Sequence, residues 1–316
     1  LMGIIMSIIM YVFAKNLLVF MRMDNELMSD GIDYMKIVGG FVFLQAIVNT
    51  FSAILRAHGK TKTCMIVTII MNVLNIGLNY VLIFGFGPIP SLGVAGAAIS
   101  TTFSKFVAVI ILGTVVFKTV VKEFKAKYLL AINRYEIRKI LTIGIPSAGE
   151  TISYNLACLV ITRIINDMGK TVVTANSYIS TITNYNYLFA LAIAQGTAIM
   201  IGWKIGAGKK EEAYKLCLRS FGKGLIVSVT ITLACVFGGK YILGYFTDNE
   251  AIIKIGITIL AIDIINEVGR SANLIIIISL RAAGDVRFPV AAGVFSMWGV
   301  SVVLSYVFGV VLGMGF

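Results

Sequence analysis

The chain reads as an all-α membrane protein: two parallel, pseudo-symmetric six-helix lobes, incomplete here, with about nine transmembrane helices present. Three observations predict this. The 316 residues are 58% hydrophobic and 13% charged, with a mean hydropathy of +0.93, whereas about a quarter of residues are charged in a soluble domain. Apolar runs of about 20 residues recur, the length that crosses a hydrocarbon core of about 30 Å. Finally, Leu55-Arg56-Ala57-His58-Gly59-Lys60-Thr61-Lys62 returns as Leu280-Arg281-Ala282-Ala283-Gly284-Asp285-Val286-Arg287, each copy between two apolar segments. Duplication of this kind in an apolar chain is the build of many secondary transporters.

Nine segments are expected, at about 1–20, 34–56, 63–86, 92–117, 137–166, 172–203, 213–238, 251–280 and 286–316. Gly85, Gly87, Pro88 and Pro90 separate the third from the fourth, and Pro146 is placed to kink the fifth. The runs are too long and too continuous for the alternating segments of a β-barrel.

Loop charges support the segment order. The loops after segments 2, 4, 6 and 8 hold clusters such as Arg56, Lys60 and Lys62, or Lys204, Lys209 and Lys210. The intervening loops are poor in Lys and Arg: 21–33 holds four acids against Arg22, and 85–92 has no charge. Basic loops face the cytoplasm, and one missed helix would break the alternation. The net charge of +12 is thus accounted for by membrane topology, and no nucleic-acid partner is expected. The expected partners are the lipid bilayer and small organic compounds, and the expected state is a monomer.

The most basic stretch, 118–136, is read as a cytoplasmic linker between an incomplete N-lobe, 1–117, and an incomplete C-lobe, 137–316. Phe117, Val120, Val121, Phe124, Tyr128 and Leu129 interleave there with lysines, the pattern of a helix lying on the membrane surface; a solvated linker fits equally. Four scattered cysteines and the single His58 provide neither a disulfide framework nor a zinc set. They also provide no nucleophile–base pair, so no enzyme and no cofactor are expected. Gly206-Ala207-Gly208-Lys209-Lys210 has a superficial likeness to a phosphate loop but lacks its spacer and its Ser/Thr; it reads as a helix end and basic turn.

The two Leu-Arg-Ala-x-Gly copies lie six crossings apart and so face the same side. Gly59 and Gly284 suit a helix C-terminus that needs positive φ. Arg56 and Arg281 sit in the last turn, facing the negative end of the helix dipole. Tight topology-setting turns are one reading, and paired cytoplasmic gates are the other.

Ionisable groups at membrane depth are functional candidates by default. Asp263, Glu267 and Arg270 fall at i, i+4 and i+7, on one face of segment 8, with Asn266 and Asn273 near it. Two acids beside one arginine form an ion pair and leave one carboxylate to bind a proton, a metal cation such as Na+ near Asp263 and Glu267, or a cationic compound. A structural clamp is the alternative. Segment 5 offers Glu150 with Ser147 and Tyr154. Segment 6 carries Asn176, Ser180, Asn184, Tyr187 and Gln195 on one face, a cavity lining or a set of interhelical hydrogen bonds. Tyr185 and Tyr187 suit cation–π contact with a flat cation. Asn72, Asn75 and Asn79 read as packing contacts, and Asn155 as a helix–helix contact.

Four stretches resemble the multidrug and toxic compound extrusion (MATE) family. Leu55-Arg56-Ala57-x-Gly59-x-Thr61-Lys62 resembles the signature after the family's fourth helix. Asn75 to Gly85, followed by Gly93-Val94-Ala95-Gly96-Ala97-Ala98, resembles its fifth helix and the entry to its sixth. Gly144-Ile145-Pro146-Ser147-Ala148-Gly149-Glu150 resembles the start of its seventh, and Leu280 to Pro289 the turn between its tenth and eleventh. The resemblance runs the length of the chain in family order. It implies that segments 1–4 are family helices 3–6 and segments 5–9 are helices 7–11, with helices 1, 2 and 12 expected to be missing. It further implies a bacterial inner-membrane antiporter that exports organic, often cationic, compounds by alternating access, coupled to Na+ or H+. Some members carry a seventh-helix acid where this chain has Tyr154, so Glu150 departs from that pattern by one turn. The alternatives are a lipid-linked oligosaccharide flippase of related architecture, which would need several cavity cations, and an ion channel.

Overall fold

Without water to hydrogen-bond the backbone, an apolar chain satisfies its amides within helices. A computed structural model describes residues 2–20, 24–87, 90–121 and 134–311. Apart from short turns, the described residues are helical, and they contain no strand. The chain forms two compact units, Leu1–Ala131 and Ile132–Phe316.

In the first unit, α1 (Met2–Val12) and α2 (Ala14–Phe20) meet at a 71° bend. Segment 1 is therefore a broken element, which a hydropathy run cannot reveal. A short 3-10 turn, Asn25–Leu27, leads into α3 (Met28–Tyr34), a π-helical stretch at Met35–Gly39, and α4 (Val42–Ala57). The acidic loop expected at 21–33 is thus mostly helix: Met28–Ala57 together make a 30-residue candidate span. α5 (Thr61–Phe84) and α6 (Gly93–Thr119) complete the unit. Most of the expected linker, residues 122–133 with Phe124, Tyr128 and Leu129, lies outside the described residues.

α6 packs by a seam of every fourth residue: Gly96, Ser100, Ser104, Ala108, Leu112 and Val116 are all buried. Small residues at this spacing let membrane helices approach closely. Asn75 of α5 donates to Ser100 Oγ (3.2 Å) and Thr101 Oγ1 (3.3 Å), and Ser100 donates back to the Asn75 carbonyl (3.0 Å). Asn79 donates to Asn75 Oδ1 (3.1 Å). Asn75 thus binds α5 to α6 with Asn79 supporting it from one turn on, while Asn72 is exposed. The core beneath is Val48, Leu55, Val67, Ala108, Leu112 and Val116.

A Cβ on Gly96 would lie 2.4 Å from the Leu82 carbonyl oxygen, a backbone atom that cannot swing aside. Gly96→Ala is expected to destabilise the protein by about 1–3 kcal/mol, the usual cost of overpacking. Thermal unfolding of purified protein checks this; an unchanged Tm would show that α5 and α6 can part at no cost.

The second unit contains α7 (Arg134–Asn166), α8 (Lys170–Gly206), α9 (Lys210–Phe237), the short α10 (Gly239–Gly244) and α11 (Glu250–Ala282). α12 (Arg287–Phe295) continues through a π-helical stretch, Ser296–Val302, into α13 (Val303–Tyr306) and a second π stretch, Val307–Val311. Among the described residues, six helices or helix groups are both long and apolar enough to cross a membrane, and the bent α1–α2 pair would make a seventh. α7 and α11 are outside that set. At 33 residues each, about 50 Å at 1.5 Å per residue, they are long enough, but Asp263, Glu267 and Arg270 interrupt the apolar run of α11, and Glu150 with several Ser, Thr and Asn residues that of α7. Pro146 lies inside α7, which continues unbroken past it. Asn155 donates to Thr151 O of its own helix (2.9 Å), so it is not the helix–helix contact expected of it.

Candidate functional site

α11 starts cleanly because the Asn249 side chain accepts from the Ala251 (3.0 Å) and Ile252 (3.4 Å) amides, a standard N-cap. Its buried seam is Ile252, Gly256, Leu260, Asp263, Glu267, Ser271, Ile275 and Ser279. Steps of four drift about 40° per step from a 3.6-residue turn, and the single step of three, Leu260 to Asp263, turns the seam back. Both acids therefore face inward: Asp263 is 8% exposed and Glu267 0%.

Arg270 serves both. One guanidinium nitrogen is paired with Glu267, and another lies 3.1 Å from Asp263 Oδ1. Asn266 donates to the same Oδ1 at 2.8 Å. The sequence left one acid free of the arginine; the structure leaves neither, because the planar fork of the guanidinium reaches i−3 and i−7 together. Each carboxylate still keeps a buried oxygen, Asp263 Oδ2 and Glu267 Oε2, with no hydrogen-bond donor among the described residues. With both acids ionised, two negative charges face one positive.

Asn186 of α8 was not singled out by its sequence. It is 3% exposed, and its amide donates to Ser228 O (3.2 Å) and Thr232 Oγ1 (2.8 Å) of α9. It also adjoins Glu267. Its carbonyl oxygen, with Ser228 Oγ and Ser271 Oγ, is likewise buried without a partner among the described residues. Close approach here rests on small residues: a Cβ on Gly224 of α9 would fall 2.4 Å from Ile275 Cδ1 of α11. Three helices thus bring carboxylate, amide and hydroxyl oxygens into one buried region, and oxygen ligands suit hard cations. Among the described residues, no group of three or more His, Cys, Asp and Glu is placed to hold a metal ion.

The other expected residues lie around this centre or away from it. Tyr154 of α7 is exposed but within electrostatic range of Arg270 and Tyr187. Tyr187 is half-buried, whereas Asn184, Gln195 and Asn273 are exposed. The polar stripe of α8 is therefore not its packed face; that face is Ala175, Ile179, Asn186, Ala190, Ala194, Thr197 and Ile201. Alternate small residues with Asn186 in register are the signal that marks it.

Glu150 is paired with Arg281, 131 positions away. It also lies where a Cβ on Gly293 would come within 3.2 Å of its Oε1. Arg281 ties the end of α11 to α7, and its buried Nε has no partner among the described residues. Arg281→Ala leaves the Glu150 carboxylate unpaired and is expected to lower Tm and impair transport, with Glu150→Gln in the same protein restoring most of the stability. Arg56→Ala added to it tests the paired-gate reading: wild-type transport by a normally inserted double mutant would rule out a gate.

The two repeat copies share one backbone. Gly59 (φ 74°) and Gly284 (φ 100°) are in the left-handed region. Lys60 N bonds Leu55 O (2.8 Å), and Gly59 N bonds Arg56 O (2.9 Å). Asp285 N and Gly284 N bond Leu280 O and Arg281 O, each at 3.0 Å. This is a Schellman ending. Gly208 (φ 76°) makes the same pair of bonds, from Lys209 N to Lys204 O (2.9 Å) and from Gly208 N to Ile205 O (3.0 Å). The turn therefore needs the glycine and not the Leu-Arg-Ala that precedes it twice.

Residues 1–81 and 146–307 match the family described as MatE. The "Uncharacterized transporter YisQ" of Bacillus subtilis is 41% identical over 309 residues, covering 98% of this chain and 68% of that protein. The "Probable multidrug resistance protein NorM" of Thermotoga maritima is 29% identical over 238 residues, covering 75% of this chain and 51% of that one. The chain thus spans between half and about two thirds of these relatives. Among solved structures, a MOP superfamily transporter from Pyrococcus furiosus shares the fold at TM-score 0.88 and 19% identity, over 100% of this chain and 70% of that one. A crystal structure of MATE in the bent conformation does so at TM-score 0.88 and 19% identity, over 99% and 69%. With the family matched over most of its residues and a 41% identical relative along nearly its whole length, the chain belongs to the MatE family.

Proposed function

We propose that the protein is a multidrug efflux transporter of the bacterial inner membrane, exporting small organic, often cationic, compounds by alternating access while Na+ or H+ enters. The proposed lobes are 1–117 and 137–316, joined by the linker 118–136. The observation that carries this reading is the buried Asp263–Glu267–Arg270 cluster, in which Asp263 Oδ2 and Glu267 Oε2 have no hydrogen-bond donor among the described residues. An excess negative charge inside a membrane is costly and is relieved by a proton, a metal cation or a cationic compound. Ligands that compete for one site while favouring different states are what exchange requires. The description of the Thermotoga maritima relative as a multidrug resistance protein supports the same reading. Tyr154 and Tyr187 are the proposed aromatic contacts for the compound, with Asn184, Gln195 and Asn273 as further polar contacts.

Proteoliposomes loaded with ethidium test it. Efflux is expected to accelerate when an inward Na+ or H+ gradient is imposed. Equal rates with and without both gradients would refute coupled export.

A further inference from the structure

The first turns of α7 and α12 border a cleft of about 480 Å³ that the transport reading does not use. Its polar lining includes Arg134, Arg138 and Arg287; Ile137, Leu141 and Ile145 form an apolar strip beside them. On α7 these residues recur at i, i+3, i+4, i+7 and i+11, a continuous helical stripe. It carries charge at one end and apolar side chains for about 12 Å along the axis. Ile137 (41% exposed) and Ile145 (63%) are uncovered. None of the three arginines is in an ion pair with another described residue.

Arg134 belongs to the basic loop after segment 4 and Arg287 to that after segment 8, and the alternation of loop charge puts both on the cytoplasmic side. The fold brings these separate loops to one cleft. Guanidinium groups bind phosphate oxygens in bidentate fashion, and basic pockets between helices at the cytoplasmic face hold anionic headgroups. The apolar strip leads from the charges toward membrane depth, which a soluble anion would not need. We propose that this cleft holds an anionic phospholipid of the cytoplasmic leaflet, with Arg134, Arg138 and Arg287 on its phosphate and an acyl chain along Ile137, Leu141 and Ile145. The inference is independent of what the protein transports.

Native mass spectrometry of the purified protein, titrated separately with dioleoyl phosphatidylglycerol and dioleoyl phosphatidylcholine, tests it. Thermal unfolding is followed in parallel with each lipid and with inorganic phosphate. Phosphatidylglycerol is expected to be retained and to raise Tm, and phosphatidylcholine much less so. Arg134→Gln with Arg138→Gln should weaken phosphatidylglycerol retention about tenfold or more. Lys240→Gln with Lys254→Gln, the same loss of charge on the opposite side, should leave it unchanged. Should the Gln pair fail to fold, Arg134→Lys with Arg138→Lys keeps charge and loses the fork, and is expected to reduce retention by a smaller factor. Equal retention of both lipids, or undiminished phosphatidylglycerol retention in both arginine variants, would overturn the proposal. So would a Tm rise with inorganic phosphate equal to that with phosphatidylglycerol, since the ligand would then be a free anion.

Discussion

Arg270→Met is expected to be the most destabilising single change in the second unit. It removes the guanidinium that pairs with both Asp263 and Glu267, and it leaves two carboxylates on the buried seam of α11. Breaking a buried pair by deleting one partner costs about 3–5 kcal/mol, because the survivor is an uncompensated charge. Here there are two survivors on adjacent turns, so their mutual repulsion adds to the desolvation. Arg270→Lys should recover only part of the loss, since a point ammonium cannot reach both acids as the fork does. The informative comparison is the triple variant Asp263→Asn, Glu267→Gln, Arg270→Met, in which no charge remains. If the damage comes from unpaired charge, the triple variant is more stable than Arg270→Met alone, although it carries more substitutions. Thermal unfolding of the three proteins in one detergent measures this. A Tm for Arg270→Met equal to that of the parent would mean that water already solvates both acids, and the buried cluster would then be no coupling site.

Much of the fold was legible because a membrane imposes it. Run length and the two glycine turns follow from backbone satisfaction, and the long helices from 42 onward fall close to where they were expected, whereas the 21–33 loop proved largely helical and a short helix at Gly239–Gly244 was not foreseen. The break between α1 and α2 was not legible, since Phe13 is as apolar as its neighbours. The site was legible only within one helix: the spacing of Asp263, Glu267 and Arg270 suffices to place them together. Which face of a helix packs was harder to see. In a soluble helix the packed face is the apolar one, but lipid is as apolar as a protein core. On α8 the stripe through Asn184 and Tyr187 stood out by polarity, yet Asn186, about 200° around from Asn184, is the buried residue. The ion pair between Glu150 and Arg281 joins residues that no local period relates, and neither residue alone indicates the other. The third Schellman turn at Gly208 went unmatched to the repeat because its backbone, not its side chains, is what is shared.

Glu267→Gln is expected to uncouple transport while sparing the fold. The amide keeps the shape of the carboxylate and an acceptor for Arg270, and Asp263 remains as the balancing charge, so cation and anion become equal in number. What is lost is the excess negative charge that would attract a proton, a metal cation or a cationic compound into the seam. If exchange of these ligands on the cluster links ion entry to compound exit, removing it abolishes the link, and coupling free energies of about 1–3 kcal/mol correspond to about five- to 150-fold in affinity. In ethidium-loaded proteoliposomes the variant should therefore show one slow rate under Na+, H+ and no gradient, whereas the parent accelerates under the coupling ion. The same variant should unfold near the parent Tm, which separates lost coupling from lost structure. Asp263→Asn provides the contrast: it also removes one charge but keeps the fully buried Glu267 paired with Arg270 on the seam nearest Asn186. Retention of gradient-driven efflux by Glu267→Gln and its loss in Asp263→Asn would move the coupling role one turn toward the start of α11. Retention in both would leave the cluster a structural clamp.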